Sequence, residues 1–173
     1  ISYGHGISGS PLHLAAAYSA IVNGGTFVSP TILQKSVSEV GARIISKNVS
    51  DQLRSMLRDV VRTPEGTANL GEVSGYSVGG KTGTAEKTSK TGGYDAERVL
   101  ATFASFFPSE DPKYVLIITL DEPEDRMGVE PKRTAGYTAV PVAAEVIRRV
   151  APLLGLVPKI EELMNKDLAL TNH

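Results

Sequence analysis

Residues 75–84 read Gly-Tyr-Ser-Val-Gly-Gly-Lys-Thr-Gly-Thr, and the structure that this stretch adopts decides the fold of the chain. Residues 75–82 satisfy the P-loop pattern of a glycine, four residues and then Gly-Lys-Thr. Residues 81–84 also spell Lys-Thr-Gly-Thr, a run that suits an extended strand with small side chains. The two interpretations make opposite predictions: a phosphate-binding loop that opens a helix, or a flat strand at the edge of a sheet.

The residues on either side favour the strand. A P-loop needs a buried strand before its first glycine and a helix that begins at its lysine. Residues 67–74 read Thr-Ala-Asn-Leu-Gly-Glu-Val-Ser, which is not a buried strand. Residues 83–93 are rich in glycine and threonine and lack apolar periodicity, so no helix is expected there. A nucleotide-binding module stays as the weaker alternative, supported by an apolar run that ends in acidic residues at 115–122.

Further strands are predicted on both sides of this stretch. Residues 99–107 and 114–120 are rich in apolar and β-branched residues, and the short turn-rich segment between them suits an antiparallel hairpin. Shorter extended pieces are predicted at 26–28, 31–37 and 43–45.

Three helices complete the predicted fold. Capping serines, prolines and helical spacing of apolar residues predict helices that begin at Pro11, near Ser46 or Ser50, and at Pro141. We therefore predict an α+β fold in which helices pack on an antiparallel sheet. One domain portion is expected over residues 1–155, followed by a C-terminal tail at 156–173.

Composition excludes several classes of function. Apolar residues make up 41% and charged residues 21% of the chain, as in an average globular domain. The net charge of −1 argues against a broad surface for nucleic acid or anionic lipid. The absence of cysteine excludes disulfides and thiolate metal sites, and the three histidines show no metal-ligand pattern. We expect no metal and no cofactor.

Several stretches together resemble one protein family. Lys-Thr-Gly at 81–83 is a short element that β-lactamases and penicillin-binding proteins use. The stretches that are similar to class B penicillin-binding proteins, in the same order along the chain, are 2–6 (Ser-Tyr-Gly-His-Gly), 10–25, 78–85, 106–108, 114–120 and 135–143. The likeness covers about residues 1–155, which would be the C-terminal portion of the transpeptidase domain, and is closest to the septal, cell-division type.

The resemblance implies an acyl-serine D,D-transpeptidase, which crosslinks peptidoglycan stem peptides and is acylated by β-lactams. It implies catalytic roles for Lys81, in the active-site hydrogen-bond network, and for Thr84, whose N–H would be an oxyanion-hole donor. Thr82 and Thr84 would bind the terminal carboxylate of the donor peptide or drug, and Gly83 would admit the substrate backbone. Because side chains alternate along a strand, Thr82 and Thr84 should share one face, with Lys81 on the other.

Three further side chains are expected at the rim of the substrate cleft: Tyr3, His5 and Tyr137. An alternative for Tyr3 and His5 is that they order the start of the first helix, and the family often has tyrosine where His5 stands. The alternative for Tyr137 is an exposed aromatic on a long polar loop.

The nucleophile of the family is missing from this sequence. No serine has a lysine three residues after it, so a Ser-x-x-Lys element is absent. Ser46-Lys47-Asn48 spells Ser-x-Asn, but it follows the first helix, and we interpret Ser46 as a helix-start residue. The chain also opens at Ile1 within a glycine-aromatic run, which predicts a fragment. Covalent acylation requires a serine activated by a base, so the chain alone is expected to be inactive.

The resemblance also implies partners and a location. The expected partners are peptidoglycan stem peptides, β-lactams, the N-terminal portion of the same protein and cell-division proteins, with no nucleic acid. The expected location is the periplasmic side of the inner membrane, with an anchor in an N-terminal segment outside this chain. Another acyl-serine enzyme of the superfamily, a D,D-carboxypeptidase or a β-lactamase, stays open as an alternative.

Overall fold

The structure, a computed structural model, describes residues 7, 9–34, 41–89, 92–128 and 130–159. Its elements in chain order are α1 (Pro11–Val22), α2 (Lys47–Arg62), a short 3₁₀ helix (Asn69–Gly71), β1 (Gly79–Thr88), β2 (Tyr94–Phe107), β3 (Tyr114–Asp121) and α3 (Ala139–Leu153). This arrangement confirms the predicted α+β class, with helices packed on an antiparallel sheet.

The three strands form one antiparallel sheet in the order β1-β2-β3. The register places Lys81 opposite Ala104, and Ala104 opposite Ile117. The pairing of β1 with β2 shifts once, between Glu86 and Lys87. Within the described residues β1 has a strand on one side only, so its second edge is open to other backbone.

The two faces of the sheet pack against different helices. Phe103 and Phe107 are buried on one face, in a core cluster that includes Ile147 of α3. Phe106 lies between them on β2 and is also buried, but alternation directs it to the opposite face. Its partner across the sheet, Val115, lines a groove together with residues of α1. The sheet is therefore covered by α3 on one face and by α1 on the other.

Serine side chains start the first two helices. The Ser10 hydroxyl accepts the His13 N–H at 3.3 Å, and the Ser46 hydroxyl accepts the Val49 N–H at 3.2 Å. Each bond satisfies one of the backbone donors left unpaired at a helix start. Ser46 is therefore a helix N-cap, as predicted. α3 begins at Ala139, slightly before its predicted start.

The segment between α1 and α2 differs from the prediction of short strands there. Apart from an isolated bridge between Thr26 and Arg43, the described part of this segment contains no strand pairing. Residues 31–34 form no strand, and residues 35–40 lie outside the described residues. Ile32 is fully exposed. The prediction for 31–34 is wrong because apolar, β-branched residues form a strand only where neighbouring backbone and a buried face are available.

A polar cluster fixes the chain just before β1. The buried Ser77 donates its hydroxyl to the Glu110 carboxylate, and the Lys159 ammonium lies 3.3 Å from the same carboxylate. Burial raises the pKa of the Glu110 carboxyl, but the Ser77 hydrogen bond and the Lys159 charge outweigh it, so the pKa lies below its ordinary value. The Lys159 N–H also donates to the Gly75 carbonyl at 2.9 Å. Residues 156–159 thus contact the body of the fold, and the tail boundary stays a prediction.

Candidate active-site cleft

Two glycines allow the first part of β1 to lie directly on aromatic rings. A Cβ atom at Gly79 would lie 2.4 Å from the ring of Phe106. A Cβ atom at Gly80 would lie 2.5 Å from the Ala104 carbonyl oxygen and 2.8 Å from the Phe103 ring. No other residue fits these positions without moving its neighbours, so the glycines set how closely β1 approaches β2.

Lys81 lies inside β1, directly after this glycine pair. The P-loop interpretation requires the lysine to open a helix whose N-terminal amides bind phosphate. Lys81 instead pairs with Ala104 in an antiparallel ladder, and β1 continues to Thr88. The nucleotide-binding alternative is therefore wrong.

A cleft of about 450 Å³ lies beside the same strand. Its walls are the loop after α2, residues 64–67 and 69, and the loop before α3, residues 134–137. Thr82 and Thr84 line it from β1, as the alternation of side chains along a strand predicts.

The two threonine hydroxyls join β1 to both loops. The Thr82 hydroxyl lies 2.8 Å from the Thr67 hydroxyl in the first loop. The Thr84 hydroxyl accepts the Ala135 N–H from the second loop at 3.1 Å. A hydroxyl has one donor and two acceptor positions, so each threonine retains hydrogen-bonding capacity for a ligand in the cleft.

The Lys81 side chain turns back towards the cleft from the opposite face. Its ammonium lies 2.9 Å from the Thr82 carbonyl oxygen and 3.3 Å from the Thr82 hydroxyl. Lys81 is exposed, and it makes no ion pair with any residue that the structure describes. A fixed positive charge therefore lies next to the Thr82 hydroxyl, where it would attract an anionic ligand group.

Gly83 differs from the two glycines at the start of the strand. A Cβ atom at Gly83 would meet nothing within 4 Å, and the residue is exposed. Its lack of a side chain is therefore not required by packing among the described residues. It leaves open space beside the strand, where the backbone of a ligand could approach.

The predicted rim residues have different outcomes. Tyr137 lines the cleft, and the Lys132 ammonium lies 3.8 Å from the centroid of its ring, a cation–π contact. Tyr137 is 44% exposed, so a large part of its side chain is open to solvent. Tyr3 and His5 lie outside the described residues.

Ion pairs hold the loop that carries Tyr137. Glu124 pairs with Arg126 at 2.8 Å and with Arg133 at 2.7 Å. Hydrogen bonds from Arg126 and then Arg133 hold the pKa of the Glu124 carboxyl below its ordinary value. Backbone bonds of 2.8 and 2.9 Å between Asp125 and Lys132 close the same loop. The 134–137 wall of the cleft is therefore attached to a closed, charge-paired loop.

The sequence interpretation missed the contribution of the loop after α2. Thr67 lines the cleft and contacts Thr82, although the two residues are 15 positions apart. Glu65 also lines the cleft, close to Gly66. The Pro-Glu-Gly turn at 64–66 was a signal that the chain reverses here, but its direction towards β1 is not encoded in local spacing.

Neither a metal-binding cluster nor a membrane-spanning helix is present in the described part of the chain. It contains no group of three or more histidine, cysteine or acidic side chains placed to hold a metal ion. None of its helices combines the length and the apolar character that crossing a membrane requires.

The comparison with known protein families decides the membership of this chain. Residues 1–148 match the family model described as the penicillin binding protein transpeptidase domain. The chain belongs to this transpeptidase family. The match covers both walls of the cleft and the whole sheet, and it confirms the predicted resemblance of the chain to penicillin-binding proteins.

Individual relatives agree with this membership. A probable peptidoglycan D,D-transpeptidase FtsI of Caulobacter vibrioides is 39% identical over 168 residues, which cover 92% of this chain and 28% of the relative. Stage V sporulation protein D of Bacillus subtilis is 33% identical, over 95% of this chain and 26% of its own length. The chain thus spans about a quarter of these relatives.

Two solved structures share the fold. The transpeptidase domain of penicillin-binding protein 3 from Burkholderia pseudomallei superimposes with a TM-score of 0.78 and 34% identity. The superposition covers 91% of this chain and 46% of that domain. A peptidoglycan glycosyltransferase from Burkholderia ambifaria gives a TM-score of 0.73 at 29% identity.

Proposed function

We propose that the complete protein carrying this chain is an acyl-serine D,D-transpeptidase that crosslinks peptidoglycan stem peptides and is acylated by β-lactams. The observation that carries the proposal is the Lys-Thr-Gly-Thr run on an open-edged strand. The hydroxyls of Thr82 and Thr84 line a cleft there, and the Lys81 ammonium lies 3.3 Å from the Thr82 hydroxyl. The family membership supports the same reaction class.

In this proposal the cleft binds the terminal carboxylate of the donor peptide. The hydroxyls of Thr82 and Thr84 donate hydrogen bonds to the carboxylate, and the positive charge of Lys81 stabilises it. Lys81 also takes part in the hydrogen-bond network of the nucleophile. The open space at Gly83 admits the ligand backbone, and the Thr84 N–H contributes to an oxyanion hole. Such a donor contributes about 2.7–4 kcal/mol in other hydrolases.

The nucleophilic serine in this proposal comes from the N-terminal portion of the same protein. No serine in this chain has a lysine three residues after it, so the serine–base pair needs another source. An apolar surface formed by α1 and the segment that follows it supports a contact with that portion. Leu12 and Ala16 line two grooves there, and Leu12, Phe27 and Ile44 are exposed. Burying exposed apolar surface of this kind would stabilise the contact between the two portions.

The rim residues and the location belong to the same proposal. Tyr137 contacts the bound peptide from the cleft wall, and Tyr3 and His5 contact it from the start of the chain. The protein acts on the periplasmic side of the inner membrane, anchored by an N-terminal segment, alongside cell-division proteins. The similarity of this chain to a probable peptidoglycan D,D-transpeptidase FtsI of Caulobacter vibrioides supports a role in peptidoglycan synthesis.

Labelled penicillin tests the proposal on the complete protein. We expect a stable covalent adduct that requires the upstream serine and that Lys81→Ala strongly reduces. The purified protein should also join stem peptides when an amine acceptor is supplied. Rapid release of the hydrolysed drug would instead indicate a β-lactamase, and hydrolysis of the peptide without transfer would indicate a carboxypeptidase. Absence of any adduct with a folded protein would exclude the whole class.

A further inference from the structure

Thr67 lies in the cleft wall directly opposite β1. Its hydroxyl lies 2.8 Å from the hydroxyl of Thr82, and both side chains line the cleft. We propose that Thr67 is a positioning residue, which directs the hydroxyl proton of Thr82 towards the carboxylate of a bound ligand. This inference rests on the proposed function, in which Thr82 binds that carboxylate.

The donor and acceptor positions of the Thr82 hydroxyl determine where its proton can point. Its hydroxyl oxygen has two acceptor positions and one proton. The Lys81 ammonium, which can only donate, lies 3.3 Å away and occupies one acceptor position. If Thr67 donates to the second position, the Thr82 proton is left to point into the cleft. A carboxylate has acceptors only, so its arrival selects this orientation of the Thr67–Thr82 pair.

Close contacts fix the backbone that carries the Thr67 side chain before a ligand binds. The Ala68 N–H donates to the Val60 carbonyl at 3.2 Å, and Ala68 is fully buried. On the other side, a Cβ atom at Gly136 would lie 2.6 Å from the Thr67 carbonyl oxygen, so the second cleft wall packs directly on this residue. Because this backbone is already ordered, little conformational entropy is lost here when the ligand binds.

A second pair of threonines in the same sheet provides a matched control. The Thr102 and Thr119 hydroxyls lie 3.0 Å apart across β2 and β3. Thr102 pairs with Gly83 in the register, so this pair points away from the face of Thr82 and Thr84. Thr119 belongs to neither wall of the cleft. Thr119→Val therefore removes the same kind of bond without touching the proposed site.

The test compares Thr67→Val, Thr67→Ser and Thr119→Val in the complete protein. The second-order rate of acylation is measured with a labelled penicillin and with its carboxyl methyl ester. Thr67→Val should slow acylation by the acid roughly tenfold, because a hydrogen bond to a charged group is weakened. It should slow acylation by the ester clearly less. Thr67→Ser should stay within about twofold of the wild type, and Thr119→Val should not differ from it.

Several results would overturn the inference. The inference is wrong if Thr67→Val is acylated as fast as the wild type. It is also wrong if Thr67→Val slows acylation by the acid and by the ester equally, or if Thr67→Ser is as slow as Thr67→Val. Thermal unfolding of each variant verifies that it is folded, and Thr67→Ala replaces the valine variant if that one is not.

A binding measurement separates this inference from the proposed function. N-acetyl-D-alanyl-D-alanine is titrated into the wild type and Thr67→Val while the Thr82 methyl resonance is followed by NMR. If the wild type binds this peptide but is never acylated, the proposed function fails, while weaker binding by Thr67→Val still supports the role of Thr67. Equal binding by both proteins overturns that role. If the wild type neither reacts nor binds, both proposals are wrong.

Discussion

Alanine at Gly80 should destabilise the fold, because the new Cβ atom has no space. It would lie 2.5 Å from the backbone carbonyl oxygen of Ala104 and 2.8 Å from the ring of Phe103, both of them buried. Overpacking a well-filled core costs about 1–3 kcal/mol. The oxygen belongs to the central strand and cannot rotate away as a flexible side chain can. We therefore expect a loss of about 2–3 kcal/mol in the free energy of unfolding for Gly80→Ala.

Alanine at Gly83, on the same strand, should slow acylation without lowering the free energy of unfolding. Its Cβ atom would meet nothing within 4 Å. Replacing glycine by alanine without strain stabilises a protein by about 0.4–1 kcal/mol, because the unfolded chain loses freedom. In the proposed function, however, the added methyl group occupies space that the ligand backbone needs. Misplacing the reacting groups should slow acylation by about tenfold to a hundredfold.

The assay measures both quantities on the same purified proteins. Urea denaturation of the complete protein's transpeptidase domain gives the free energy of unfolding, and labelled penicillin gives the acylation rate. The expected result is a crossover, in which Gly80→Ala loses stability and Gly83→Ala loses activity but not stability. A Gly80→Ala variant as stable as the wild type would refute the packing argument. A Gly83→Ala variant that is strongly destabilised would refute the open edge.

Three further predictions concern stability, pH and the cleft. Arg58 and Glu72 form a partly buried ion pair, so Arg58→Met should lower the free energy of unfolding by about 1–3 kcal/mol, measured by urea denaturation. Glu110 has a pKa below its ordinary value of 4.5 in the fold, so its stabilising contribution is present above that pH and is lost as the pH falls through the folded pKa. The free energy of unfolding should therefore fall between about pH 6 and about pH 3, and it should fall less in Glu110→Gln than in the wild type. Thr84→Val removes the acceptor of the Ala135 N–H and should slow penicillin acylation roughly tenfold, whereas Thr84→Ser should largely keep it; equal rates would contradict a role for this hydroxyl.

The extended structure of β1 could be predicted because its evidence is local. Residues 83–93 contain too much glycine and threonine for a helix, and residues 67–74 do not form the buried strand that a P-loop needs. The helix starts at Ser10 and Ser46 were predictable for the same reason, since an N-cap bond spans only three residues.

The cleft could not be predicted in this way, because its walls meet through contacts between distant residues. The Thr67–Thr82 bond joins residues that are 15 positions apart, and the bond to Thr84 joins residues that are 51 positions apart. Such contacts depend on how α2 and α3 pack, which hydrophobic periodicity does not specify. The reach of Lys81 back to Thr82 was also missed, because alternation describes where a side chain leaves the strand and not where a four-carbon chain ends.

The glycine pair at the start of β1 explains why the site depends on register. In a strand, a slip of one residue exchanges the two faces. Such a slip would turn Thr82 and Thr84 away from the cleft and remove both of their bonds to its walls. Gly79 and Gly80 oppose such a slip. At both positions a Cβ atom would lie within 3 Å of an aromatic ring of β2, so only glycine fits there. The residues that set the packing therefore also set the chemistry, although they touch no part of the cleft themselves.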